Sequence, residues 1–164
     1  MTKAIVIMGV SGSGKTSVGK MLADTLDWTF FDGDDFHPTV NVEKMASGHP
    51  LNDDDRFPWL KRLRDLMTEE NAKGDSVVVA CSALKKSYRD ILKETNPNLK
   101  IVFLDGTFEL IETRMTKRDA HFMKAGMLKS QFETLERPIN AIPINIDQSI
   151  EKLINEIIKS IEIT

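Results

Sequence analysis

The chain has 164 residues, 41% of them apolar and 29% charged, which is the composition of a folded globular protein and excludes a disordered one. A net charge of −3 gives no global basis for binding nucleic acid or an anionic membrane. The single cysteine, Cys81, excludes an intrachain disulfide and points to a reducing, cytoplasmic setting.

In chain order, the start MTKAIVIMGV is too short to span a bilayer and carries no small-residue cleavage site. Within it Ala4–Met8 is apolar without alternation, as in a parallel strand covered on both faces. Lys15–Leu26 sets Val18, Met21, Leu22 and Leu26 on one helical stripe, and Thr29–Asp32 is the second predicted strand. Residues 42–46 are too short for a core helix. A helix is predicted over 57–73, with Pro58 in its first turn, Leu60, Leu63 and Met67 facing inward, and Gly74 ending it. A strand over 76–80 precedes a helix that Ser82 caps and that runs to about 94, before Asn96-Pro97.

The remaining elements are a strand over 101–105, a helix over Phe108–Arg118, a strand over 142–146 and a helix over 149–161. The last is amphipathic through Ile150, Leu153, Ile154, Ile157 and Ile158. Strands alternating with helices predict one α/β domain over residues 1–164, with a five-stranded parallel sheet between two helical layers. Ligands collect at the carboxyl ends of such strands, here residues 9–16, 32–38, 81–86 and those after Asp105.

Residues Gly9, Val10, Ser11, Gly12, Ser13, Gly14, Lys15 and Thr16 fit G-x-x-x-x-G-K-[ST] throughout. The glycines let successive N–H groups turn inward onto phosphate oxygens at the positive end of the following helix. Lys15 brings charge to the β- and γ-phosphates, and the Thr16 hydroxyl is a ligand for Mg²⁺. A nucleoside triphosphate is therefore expected here.

Asp32, Asp34 and Asp35 follow the second strand, beside the expected γ-phosphate. Phosphoryl transfer to a hydroxyl needs an acceptor for its proton and carboxylates near the metal. Asp34 is assigned to the acceptor hydroxyl and Asp32 to Mg²⁺ through water, while Asp35 can exchange with either. His37 either bonds a hydroxylated acceptor or braces the turn before Pro38. One cysteine and three scattered histidines exclude a structural zinc site. Asp53, Asp54 and Asp55 suit a solvated helix start, whereas the Arg56 fork can grip a carboxylate with two bonds.

Five blocks now carry a resemblance: GVSGSGKT, DGDDFHP, the run NVEKMASGHPLNDDDRFPWL at 41–60, CSALKKSYRD at 81–90, and HFM…MLKSQFETLE within 121–136. Together they resemble the gluconokinase family of P-loop carbohydrate kinases. The resemblance implies ATP-dependent phosphorylation of D-gluconate at its terminal hydroxyl, on an adenylate-kinase-like P-loop core and in a homodimer. It implies an acceptor-binding segment over about 34–60, with Asp34, His37, Lys44 and Arg56, and contributions from Lys85 and Arg89; for the last two, a solvated helix face is the alternative.

Many P-loop proteins end their third strand in an acidic metal-site residue, whereas this chain reads Val-Val-Val-Ala-Cys-Ser. Metal duty then falls on Asp32 or Asp34. Cys81 reads as a buried packing residue. Residues 114–137 carry six Lys or Arg against three Asp or Glu and are assigned to a helical lid that excludes water. Within it Arg114 is given to the nucleotide and Arg118 to the transferring phosphates.

Three classes remain in comparison. A GTPase switch would carry D-x-x-G and N-K-x-D, and neither pattern occurs. A non-catalytic sensor would have lost Lys15 or the Asp32–Asp34 pair. A kinase for shikimate or a nucleotide needs the same loop, acid and lid, and only residues 41–60 separate it from a gluconate kinase.

Overall fold

Strand β1 (Ala4–Met8) lies at the centre of a five-stranded sheet with β2 (Thr29–Asp32), β3 (Val77–Ala80), β4 (Lys100–Asp105) and β5 (Ile142–Asn145). The order is β2-β3-β1-β4-β5 and every pair is parallel. This computed structural model describes residues 2–118 and 125–163, and the side chains of residues 117, 118, 125, 126 and 163 lie outside that description.

The Val- and Ile-rich runs are continuous because both sheet faces are covered. Ile5, Ile7, Val78, Val102, Leu104 and Ile144 face one core, which is closed by Val18 and Leu22 of α1 (Lys15–Leu26) and Leu153, Ile154 and Ile157 of α7 (Ile150–Ile163). Val6, Met8, Val77, Val79, Ile101 and Phe103 face the other, against α3 (Asp53–Ala72) and α4 (Lys86–Lys93). Thus the three layers follow from period-two strands between two apolar helical faces. Among the described residues no helix is long and apolar enough to cross a membrane.

Several predicted boundaries change. The third helix starts at Asp53 and not 57, because Asn52 and Asp55 form a reciprocal capping box. Pro58 therefore lies inside α3, past its first turn. Ser82 caps nothing: α4 begins only at Lys86, after a loop in which Ala83 has φ of 46°. The physical reason is that the loop carbonyls are taken by tertiary bonds, Ala83 O from Arg89 and Leu84 O from the Glu136 N–H. A 3₁₀ turn over Gly33–Phe36 and helices α2 (Thr39–Ala46) and α6 (Ala125–Thr134) add to the predicted set, and α5 (Phe108–Arg118) keeps its bounds. Helix α2 is peripheral, with only Asn41 buried among its residues.

Candidate active site

The loop between β1 and α1 has the backbone its glycines allow. Gly12 and Gly14 hold φ of 81° and 97°, in the left-handed region that other side chains rarely enter. At Gly12 a Cβ would also come within 2.7 Å of Met115 Cγ on α5. The Lys15 ammonium donates to Gly9 O at 3.0 Å and Val10 O at 3.1 Å. Burial lowers its pKa, opposed by the nearby charge of Asp34. The Ser13 hydroxyl is buried in the loop, with no hydrogen-bond partner among the described residues. A cradle of this curvature with a buried ammonium suits an anion.

At the end of β2, Asp32 does two things. Its Oδ1 accepts the Asp34 N–H at 3.0 Å, capping the 3₁₀ turn, and its Oδ2 lies 3.4 Å from Thr16 Oγ1. A hydroxyl beside a carboxylate is a hard-oxygen pair that fits Mg²⁺. No group of three or more His, Cys, Asp or Glu suited to an ion occurs among the described residues.

Asp34 stands next to this pair and is open to solvent, with a side chain 84% exposed. Its pKa is nonetheless raised, first by desolvation among neighbouring atoms and then by the Asp32 carboxylate. Glycine at position 33 is required by space, since a Cβ there would sit 2.5 Å from Ala80 O. Asp35 is exposed on the same turn.

The second wall is built by α2, α3 and α4. His37 stacks on Trp59, with ring centroids 4.1 Å apart, and its Nδ1 pairs with Asn41 Nδ2 at 3.2 Å. Burial lowers its pKa, which favours the neutral ring. Of the two expectations for His37, the brace is visible in these contacts. Trp59 in turn donates to Gly33 O at 2.7 Å, tying α3 to the carboxylate turn. Lys44 pairs with Asp55 at 2.6 Å and Lys85 with Asp53 at 3.0 Å, while Tyr88 donates to Asp53 and accepts from Arg56 at 3.2 Å. These bonds hold Asp53 and Asp55 below the usual carboxylate range. Asp53 and Asp55 are therefore working partners of cations, not merely a solvated helix start.

Arg56 acts on both Asp53 and Asp55, so Arg56, Lys85 and Lys44 stand in one charged cluster. Arg89 does not join it. The residue is 5% exposed and its guanidinium donates to Ala83 O and Glu136 O at 2.7 and 2.8 Å, so it braces a loop and does not line the cleft. Arg114 donates to Ile146 O at 2.7 Å, at the end of β5. The side chains of Lys117 and Arg118, and residue Lys124, fall outside the described residues, as does the stretch 119–124 of the expected lid. Cys81, at the end of β3 where an acid is common, is buried, and burial pushes its thiol up to about 12, so it stays an inert thiol.

Sequence reasoning missed Trp59, Asp53, Tyr88 and Gln131 as parts of the site. All four lie inside the family-like blocks, and Tyr88 is the chain's single tyrosine, but nothing in their spacing gives them a task. Gln131 bonds Ser11 across 120 positions.

The shikimate kinase family model matches residues 11–162. The chain is 47% identical over 161 residues to the thermoresistant gluconokinase of Escherichia coli, covering 96% of this chain and 92% of that one. It is 44% identical over 140 residues to the gluconokinase of Gluconobacter oxydans, covering 85% and 79%. Among solved structures, a gluconokinase from Sinorhizobium meliloti superposes with a TM-score of 0.88 at 41% identity, covering 98% and 91%. A sugar kinase from a Janibacter species superposes with a TM-score of 0.92 at 41% identity, covering 100% and 96%.

Proposed function

The chain belongs to the gluconokinase family of kinases, and we propose that it transfers the γ-phosphoryl group of ATP to the 6-hydroxyl of D-gluconate, giving 6-phospho-D-gluconate and ADP. The observation that carries this is the pairing of a complete phosphate loop with a wall holding Arg56 and Lys85, at near-full-length identity to gluconokinases.

In this proposal the backbone of residues 9–16 holds the phosphates and Lys15 neutralises the charge that grows on them. Thr16, and Asp32 through water, would hold Mg²⁺, which would supply positive charge to the phosphates. Asp34 orients the 6-hydroxyl in line with the γ-phosphorus and accepts its proton. Its raised pKa makes it a stronger base than an ordinary carboxylate. Arg56 and Lys85 receive the carboxylate at the far end of the acceptor, so its hydroxyl end points to the loop. Lys44 and His37 border the polyol, and Arg89 holds the loop behind Lys85 in place.

Arg114 borders the nucleotide beside Ile146, and Arg118 supplies charge to the transferring group. Residues 34–60 serve as the acceptor-binding segment and 114–137 as a lid that keeps water from taking the phosphoryl group. The protein acts in the cytoplasm as a homodimer, which light scattering tests.

A panel of acceptors decides the reaction. With ATP and Mg²⁺, ADP release is expected with gluconate and not with shikimate or nucleoside monophosphates. Release with shikimate alone would favour the second acceptor that the family-model match allows.

A further inference from the structure

The carboxamide of Gln131 on α6 meets Ser11 of the phosphate loop with both ends. Its Oε1 accepts the Ser11 N–H at 2.7 Å, and its Nε2 donates to Ser11 Oγ at 3.0 Å. A backbone N–H can only donate, so chemistry fixes which way the carboxamide points. The neighbouring Gly12 is covered by Met115 and Ile111 of α5, so the tip of the loop is held by side chains from two helices. A loop with three glycines in six residues has wide conformational freedom, and such restraints confine it.

The chain just beyond Gln131 is anchored to other strand ends. The Glu136 N–H donates to Leu84 O at 2.8 Å, and Glu136 Oε1 accepts the Lys86 N–H at 2.9 Å. Arg137 pairs with Asp105 at 2.5 Å. Residues 131–137 therefore bind the loop after β1, the wall after β3 and the end of β4.

We propose that Gln131 is a positioning residue for phosphoryl transfer. It clamps Ser11, keeps the loop in the curvature that turns its amides onto the triphosphate, and registers the loop against the segment carrying Lys85. This rests on the assignment of residues 9–16 to a triphosphate, and gives a task to a side chain far outside them.

Two variants test it. Gln131→Leu keeps the bulk and removes both bonds. Gln131→Glu can still accept from the Ser11 N–H and from its hydroxyl, but adds a negative charge beside the loop. For Gln131→Leu we expect kcat to fall at least tenfold, with the melting temperature within a few degrees of wild type. For Gln131→Glu we expect MgATP affinity, measured by titration calorimetry, to weaken more than tenfold at low salt and recover as salt is added, with kcat at saturating ATP within threefold of wild type.

Two results would overturn the proposal: wild-type kcat and MgATP affinity in Gln131→Leu, or a Gln131→Glu variant whose affinity matches wild type at every salt concentration. Activity lost only in proportion to unfolded protein would likewise assign Gln131 to stability alone. If the wild-type enzyme bound MgATP but ignored gluconate, the acceptor assignment would fall while the MgATP affinities still decided the role of Gln131.

Discussion

Tyr88 donates a hydrogen bond to Asp53 and accepts one from Arg56 at 3.2 Å, so one phenol joins an acid and a cation on α3. Lys85 completes the group through Asp53 at 3.0 Å. Each cation is thereby held in place before an acceptor arrives, which lowers the ordering cost of binding a carboxylate. Tyr88→Phe removes two bonds in which one partner is charged. The expected outcome is a KM for gluconate raised about 5–30-fold, from roughly 1–2 kcal/mol of lost interaction, with kcat changed less. Steady-state kinetics check this, and an unchanged KM would remove Tyr88 from the acceptor site.

Arg56→Ala should raise the KM for gluconate more than Tyr88→Phe does, on the order of 100-fold for a charge-assisted pair. Arg56→Lys should recover only part of the loss, because an ammonium lacks the two-pronged geometry. Full recovery by lysine would show that charge alone matters at this position.

Asp34→Asn should lower kcat by about 10²–10⁴-fold with ATP binding retained. Because the pKa of Asp34 is raised above 3.8, the wild-type rate should fall on the acid side as pH drops through that raised value. The stability effect has the opposite sense. A raised folded-state pKa means the native chain binds this proton more tightly, so Asp34 costs stability once it ionises, at pH values above the folded pKa. Asp34→Asn should therefore melt at a higher temperature than wild type at pH 7 and show no such advantage at pH 3. A variant less stable at pH 7 would contradict the origin given for the shift.

Trp59→Phe removes the buried indole donor to Gly33 O at 2.7 Å while keeping an aromatic partner for His37. A loss of about 1–3 kcal/mol in unfolding free energy is expected from the stranded carbonyl, together with a fall in kcat, because the same bond holds the turn that carries Asp34. Denaturant unfolding measures the first and kinetics the second. Gly33→Ala should act more severely, since its Cβ would meet backbone at 2.5 Å.

The sheet and most of its helices are legible from local pattern. The continuous runs of β1 and β4 and the stripe of α1 report burial directly, and the bounds of Lys15–Leu26 and Phe108–Arg118 match. The start of α3 was also encoded in Asn52 and Asp55, but Pro58 drew the boundary inward. Helices α2 and α6 escape because each buries little of its own surface. In α6, Leu128 is buried and Phe132 only partly so, which leaves no stripe to detect. For the site, the phosphate loop is written in contiguous residues and Asp32 and Asp34 follow a strand end. The Arg56–Tyr88–Asp53 group and the Gln131–Ser11 bonds depend on how separate elements dock, which spacing along the chain does not express. Arg89 failed for a related reason: a charged residue on a helix can turn inward when loop carbonyls are there to receive it.

Cys81 carries a further practical consequence. It is the only thiol in the chain, and burial keeps it protonated and shielded. A maleimide reagent acts on exposed, ionisable thiols, so the folded wild-type protein offers it no target. A cysteine introduced at an exposed position such as Met127, on α6, would then take a fluorophore alone. The native sequence is in this sense already a clean background for single-site labelling, with no cysteine to delete first.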